Sequence, residues 1–377
     1  MVLLIGNYAL DRQQSMQRFS QMMLQGLIAA GIPAELIQPE ARFGRFLSGG
    51  AFIAKWLAYL DKYLLFPGRL RHRLVAADGI ALVHICDHSN ATYARQCRPR
   101  PVVVTCHDML AVRGALGERT DTPASATGRL LQRWILDGLR KASVVACVSH
   151  ATLRDAERLI GRDAVSPRLE AVTLGLNHPY RKLAAAEIGP RLRALAQLDA
   201  GRPFVLHVGS NLRRKNRDGV LRIFARTAPS WDGQLLFAGD RLNPELRALV
   251  DELGIGARVV EIVQPDGATL EALYNGATAL LYPSRFEGFG WPIAEAHACG
   301  CPVICSDAGP MPEVAGDAGL IHAAQDEAGF AADILRLTDG DERERWSARS
   351  LRNAERFSTE RMIADYVKLY RSLAPQL

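Results

Sequence analysis

Nowhere in its 377 residues does the chain run apolar for the roughly 18 to 20 positions that a membrane-spanning helix requires, so no spanning helix is expected. The opening MVLLIGNYAL is apolar for only five residues before Gly6 and Asn7 and has no basic leader. That is too short for a secretory h-region and reads as a first β-strand, which points to a cytoplasmic protein. No low-complexity tract and no repeat of solenoid period interrupts the chain, which sets aside disordered and repeat architectures. No G-x-G-x-x-G follows any strand-like run, since Gly6 and Gly209 stand alone, so nicotinamide or flavin binding is poorly supported. The seven cysteines are odd in number, and Cys299-Gly-Cys301 lacks a second pair to complete a zinc site. They read as small buried hydrophobes in a reducing compartment. Asp339-Gly-Asp341 spells an acidic pair but lies in an acidic run near a helix, and His84, Asp87 and His88 lack the spacing of a zinc set, so no metal is expected.

What is present is a globular composition, 48% hydrophobic and 23% charged, on a chain longer than one hydrophobic core usually fills. Two domains are therefore expected. Strand-like runs alternate with helix-patterned segments throughout, the signature of α/β domains with parallel, doubly wound sheets. The strand candidates are 2 to 6, 34 to 37, 81 to 86, 101 to 106 and 143 to 149, then 204 to 209, 234 to 239, 258 to 263, 278 to 284 and 302 to 307. The expected division is a first domain over 1–176, a linker over 177–202, a second domain over 203–355 and a terminal helix over 356–377. That helix has Ser358 as its cap and apolar positions Met362, Ile363, Tyr366, Leu369 and Tyr370. Charge is uneven: residues 1–176 hold 22 Lys/Arg against 14 Asp/Glu, and the remainder 24 against 26. A basic first domain suits an anionic acceptor or an anionic membrane, and equally a solvated surface.

The most informative stretch is YPSRFEGFGWPIAEAHACGCPVICSDAGPMPEVAGDAG, residues 282–319. A buried strand gives way to a glycine-containing loop, Glu287-Gly288-Phe289-Gly290, and Pro292 falls where a helix would begin. Such a helix start at the C-terminal edge of a parallel sheet offers backbone N–H groups and the positive end of a dipole to an anion such as a diphosphate. Glu287 and Glu295 are eight residues apart and suit the hydroxyl groups of an extended ligand. A second feature, HVGSNLRRKNRDGVLRIFA (207–225), runs from a strand ending at Gly209 into a basic loop where Arg214 and Lys215 can neutralise phosphate oxygens. On its own, this loop also reads as an ordinary solvated surface.

The string EGFGWPIAE, with Glu287 and Glu295 at its ends, resembles the E-x7-E motif of retaining glycosyltransferases of the GT-B fold, in particular glycosyltransferase family 4. Lys215-Asn216 resembles that family's phosphate-binding loop, with Ser210 standing where the family often has arginine and Arg214 as the substitute cation. The resemblance is strongest over 203–320 and weak before residue 100. It implies two Rossmann-like domains facing a cleft, the first acceptor-binding and the second nucleotide-sugar-binding, with the terminal helix crossing back to the first. It implies donor contacts from Gly209, Ser210, Arg214, Lys215, Asn216, Glu287, Gly288, Phe289, Gly290 and Glu295. In the catalytic group it places Glu287 and Lys215, with His107 of the TCHD segment against the donor sugar. Asn7, Gln14, Ser15, Asp87 and His88 are the acceptor-side candidates, Ser15 also as a helix cap.

The implied reaction is transfer of a sugar, of mannose or rhamnose type, from a GDP- or UDP-sugar substrate to a glycan or lipid-linked acceptor. No cofactor, metal ion or nucleic-acid partner is implied. Two alternatives stay open: a nucleotide-sugar epimerase of the same fold and a non-catalytic nucleotide-sugar-binding protein. The segment KWLAYLDKYLLFPGRLRHRL (55–74) interleaves aromatic residues and leucines with cations. It fits either a helix packed on its own domain or one lying at the inner face of an anionic membrane.

Overall fold

The structure, a computed structural model, describes the chain except residues 12, 13, 45–50, 77, 78, 119 and 162–165, and describes residues 14 and 51–55 by their backbone only. It divides into two compact units, Met1–Asn177 with Thr359–Leu377, and His178–Ser358. The first is built on β1 (Val2–Ile5), β2 (Ala34–Ile37), β3 (Leu82–Ile85), β4 (Val102–Cys106), β5 (Val144–Cys147) and β6 (Arg168–Ala171), in the order β2-β1-β3-β4-β5-β6. The second is built on β7 (Phe204–Gly209), β8 (Gln234–Gly239), β9 (Val259–Val263), β10 (Ala279–Tyr282), β11 (Val303–Ser306) and β12 (Gly319–His322), in the order β12-β11-β10-β7-β8-β9. Every pairing is parallel.

Most of the inner strands are buried along their whole length, which is why they appear in sequence as short aliphatic runs such as VVVTC and ALLY. β6 and β12 lie at sheet edges and are half-exposed, so they lack such a run and escape the apolar pattern. Among the described residues, no helix is long and apolar enough to cross a membrane.

In each sheet the strand order reverses at one place, between β1 and β3 in the first and between β7 and β10 in the second. Loops leaving the C-terminal ends on either side of such a reversal turn away from each other and leave a crevice, the usual ligand position in α/β sheets. The segment expected as a linker, 177–202, carries a helix, Ala185–Arg193, and from His178 onward belongs to the second unit. Buried Leu183 and Leu192 help hold it, together with Arg191, whose Nη1 lies 3.0 Å from Glu271 Oε2.

The helix Thr359–Leu373 belongs to the first unit although it follows the second in sequence, and its five expected apolar positions are all buried. Its two tyrosines reach the interior of the first sheet. Tyr370 OH lies 2.6 Å from His84 Nδ1, His84 Nε2 lies 2.8 Å from Thr105 Oγ1, and Thr105 Oγ1 lies 2.7 Å from Tyr366 OH. Burial, with the neighbouring His107 adding to it, pushes the His84 imidazole down to about 3. The ring is therefore neutral, with one nitrogen donating and the other accepting in this chain of hydrogen bonds. The helix Gln14–Ala29 crosses the terminal helix at Gly26, where an added Cβ would lie 2.5 Å from the Ile363 side chain. Gly26→Leu should cost about 1–3 kcal/mol by overpacking this crossing. Tyr370→Phe should cost about 1–3 kcal/mol by leaving buried His84 Nδ1 without its partner. Urea titrations followed by tryptophan fluorescence check both, the expected outcome being a lower midpoint for the first unit.

Candidate functional site

The strand-order reversal of the second unit gathers the residues of two motifs that lie about 70 positions apart. After β7 the chain turns through Asn216, which holds a left-handed backbone (φ 55°), a conformation asparagine tolerates better than most residues. Its side-chain amide donates to Pro283 O at 2.9 Å and Ala324 O at 3.2 Å, tying this loop to the one after β10. Arg285 N donates to Arg214 O at 2.7 Å and closes the seam. Arg217, buried, donates to Gly209 O at 2.5 Å and to Asp240 O at 2.9 Å, so it braces the start of the loop from within. Gly239 is required beside it, since a Cβ there would sit 2.2 Å from Gly209 O.

The seam brings Lys215 and Arg214 onto one carboxylate. Lys215 Nζ lies 2.7 Å from Glu287 Oε1, and Arg214 Nη1 pairs with Glu287 Oε2. Tyr282, the last residue of β10, bridges the group: its hydroxyl donates to Glu287 Oε1 at 2.8 Å and accepts from Lys215 Nζ at 2.8 Å. Burial alone would raise the Glu287 carboxyl. The Lys215 and Arg214 charges, with hydrogen bonds from Lys215 and Tyr282, outweigh it and hold the group down at about 2. Burial draws the Lys215 ammonium below its ordinary value, and the Glu287 charge opposes that. Two cations share one carboxylate, so the cluster keeps a net positive charge.

Gly290, with φ 97°, starts the helix Trp291–Ala298, and Pro292 falls in its first turn as its residue type favours. Glu295 lies further along this helix, buried, and accepts from Tyr274 OH at 2.8 Å. Gly309, at φ 57°, lets the loop after β11 pass beside the Glu287 backbone, 3.4 Å from Glu287 O for an added Cβ. Gly288 lies half-buried in the loop, and Ser210 lies half-buried directly after Gly209. Phe289 turns its ring into packing against Phe357, at a centroid distance of 5.9 Å, so its side chain is spent on the core of the unit.

A second cluster forms at the strand-order reversal of the first unit. Asp87, after β3, accepts from the Asn7 amide, from Ser89 N at 2.9 Å and from Ser89 Oγ at 3.0 Å. Asn90 Nδ2 donates to Asn7 Oδ1 at 3.0 Å, and His88 Nδ1 lies 3.2 Å from Asp87 Oδ1. Burial would raise the Asp87 carboxyl, but the neighbouring His88 and His107 and the hydrogen bonds from Asn7 and Ser89 outweigh it and leave it lowered. His107, after β4, places Nε2 2.9 Å from Cys86 O. A carbonyl only accepts, so Nε2 carries the hydrogen and Nδ1 keeps its lone pair. The Phe19 ring meets His107 edge-on at 4.9 Å, and burial lowers the imidazole, keeping it neutral.

Asn7, Asp87, His88 and His107 thus come together. The helix cap expected of Ser15 does not form. The residue is exposed and lies inside the helix Gln14–Ala29, where its backbone is already helical, whereas a capping residue must be non-helical. The side chain of Gln14 lies outside the described residues. Asp339, of the acidic pair, caps the helix Gly340–Ala354 by accepting from Glu342 N at 3.0 Å. Tyr282, Tyr274 and Arg217 carry no motif signal. The one clue to Tyr282 is a polar tip ending an otherwise aliphatic buried strand.

The Glu287 cluster makes the second unit acid-sensitive. Its folded value of about 2 lies below the ordinary 4.5, so its stabilisation is complete above about 4.5 and is lost as pH falls through about 2. Unfolding free energy measured in urea at pH 7 and pH 3 should drop by more in the native protein than in Glu287→Gln, which lacks the titrating group.

Sequence and structure comparisons agree with this architecture. The Glycosyltransferase Family 4 pattern matches residues 16–178, and the Glycosyl transferases group 1 pattern matches 190–352. O-antigen chain mannosyltransferase B of Escherichia coli is 31% identical over 250 residues, covering 65% of each chain. D-inositol 3-phosphate glycosyltransferase of Corynebacterium efficiens is 28% identical over 289 residues, 72% of this chain and 65% of that one. The chain thus spans about 65% of the length of these curated relatives. Among solved structures, sucrose-phosphate synthase from Thermosynechococcus elongatus superposes with a TM-score of 0.78 at 21% identity, covering 100% of this chain and 99% of that one. Anabaena HepE in complex with UDP and glucose superposes with 0.75 at 17% identity, covering 99% of both. With two parallel sheets of this order and matches on both halves, the chain belongs to the family 4, group 1 type of glycosyltransferases with the GT-B fold.

Proposed function

We propose that the protein is a retaining glycosyltransferase that moves a sugar, of mannose or rhamnose type, from a GDP- or UDP-sugar to a glycan or lipid-linked acceptor without a metal ion. It would work at the inner face of a membrane. The observation that carries this reading is the Lys215–Glu287–Arg214 group at the strand-order reversal of the second sheet, beside the start of the helix Trp291–Ala298. Its residual positive charge and the helix dipole suit a departing diphosphate, where negative charge develops. The mannosyltransferase relative and the UDP-bound solved structure support the donor and sugar classes.

Glu287 takes a positioning role. A carboxylate has about four lone-pair directions. Arg214, Lys215 and Tyr282 occupy three, which leaves about one for a sugar hydroxyl. A carboxyl held at about 2 is a poor proton acceptor at neutral pH, where an effective base titrates near 7. The acceptor's proton therefore goes to a donor phosphate oxygen in this reading, and the enzyme contributes alignment. Glu295 holds the ribose. In the first unit, neutral His107 offers its Nδ1 lone pair to a sugar hydroxyl, and Asn7, Asp87 and His88 serve the acceptor.

Glu287→Gln and Lys215→Ala should each lower transfer about 100-fold or more while circular dichroism stays native. Full activity in either variant sinks the assignment. A thermal-shift screen of nucleotide sugars should single out one donor, with about 2.7 kcal/mol of stabilisation at a hundred times its Kd.

A further inference from the structure

The outer surface of the first unit carries an aromatic row that neither cluster uses. Ring centroids step from Trp56 to Tyr59 at 5.9 Å, from Tyr59 to Tyr63 at 5.6 Å and from Tyr63 to Trp134 at 5.2 Å. The row passes from the helix Ala51–Leu60, through the wide turn Asp61–Leu65, to the helix Ala126–Arg140. Leucines accompany it in the open: Leu64 is 66% exposed and Leu130 71%, beside Trp56 at 53% and Trp134 at 45%. Single exposed leucines are ordinary, whereas a connected apolar surface over two helices marks an interaction site.

On the second of these helices, Leu130, Trp134, Asp137 and Lys141 follow at intervals of four, three and four, which places them on one face. Where that face ends, Arg95, Arg98, Asp137 and Lys141 line an open pocket of about 420 Å³. Asp137 Oδ1 lies 3.9 Å from Lys141 Nζ, so three cations face one carboxylate and the pocket stays positive. Gly138 fixes this arrangement. A Cβ there would fall 2.2 Å from Ala91 O, so only glycine lets the helix lie against the segment that presents Arg95 and Arg98. Seven helical residues separate Trp134 from Lys141, about 10 Å. Apolar contact and a positive pocket thus lie side by side on one surface.

We propose that this surface docks on an anionic phospholipid bilayer, with the aromatic row and its leucines at the boundary of headgroups and acyl chains and the Arg95–Arg98–Lys141 pocket on lipid phosphates. The basic excess of the first half of the chain, 22 cations against 14 carboxylates, favours the same partner. A glycan fits less well. Adjacent rings meet at 81°, 60° and 44°, so they form no coplanar platform for sugars, and exposed leucines offer hydroxyl groups nothing. The proposal gives the membrane location suggested above a physical surface, rests on that location, and is independent of the transfer chemistry.

The test is co-sedimentation of the full chain with phosphatidylglycerol-containing vesicles and with pure phosphatidylcholine vesicles, in the absence of any donor. The native protein should pellet with the first only, and less as salt rises. Arg95→Ala with Arg98→Ala should weaken partitioning about 25-fold at low ionic strength, about fivefold for each cation near the surface. Leu130→Ser with Trp134→Ser should weaken it about tenfold or more. All four side chains are exposed, and unchanged melting curves confirm folding. Absence of anionic-vesicle binding in the native protein, equal binding in both double variants, or binding of a soluble oligosaccharide in place of vesicles overturns the proposal. Vesicle binding in a protein that transfers no sugar leaves this surface standing and removes the transferase reading.

Discussion

Every strand of both sheets runs the same way, so all strand ends of a sheet open onto one edge, and whatever chemistry the loops carry must collect there. At the reversal between β7 and β10, the loops that leave that edge supply opposite charges to one buried point. A carboxylate as enclosed as Glu287 would cost several kcal/mol if left alone, and removal of its partners would leave it in that state. Lys215, Arg214 and Tyr282 are therefore conditions for the loop to exist in this form as well as candidates for contact with a ligand.

The two edges solve the same burial problem with different means. In the second unit full charges meet, and the result is a fixed, positively biased group. In the first unit one carboxylate, Asp87, is met by His88 and by amide and hydroxyl donors, and the neighbouring His107 is kept neutral. The first arrangement suits a polyanion and the second suits hydroxyl groups, a division of labour that follows from side-chain type alone.

Much of this is legible in the amino-acid sequence. The aliphatic runs located the central strands, and the glycine-and-proline string from 282 to 319 located the helix start at Trp291. What escaped has physical reasons. β6 and β12 are edge strands with one flank in water, so they carry no unbroken apolar run. Lys215 read as a cation waiting for phosphate, because the carboxylate that neutralises it lies 72 positions away and only the fold joins them. Tyr282 was hidden by its strand. Asn216 was legible as part of a pattern, and the reason for the pattern, a left-handed backbone whose side chain ties two loops, was not.

The terminal helix adds a constraint of timing. Tyr366 and Tyr370 complete hydrogen bonds with Thr105 and His84 in the middle of the first sheet, yet they leave the ribosome only after all of His178–Ser358. During synthesis the second unit can close on its own residues. The first must wait with an apolar groove uncovered until the helix Thr359–Leu373 arrives, which leaves its incomplete form exposed to association in the meantime.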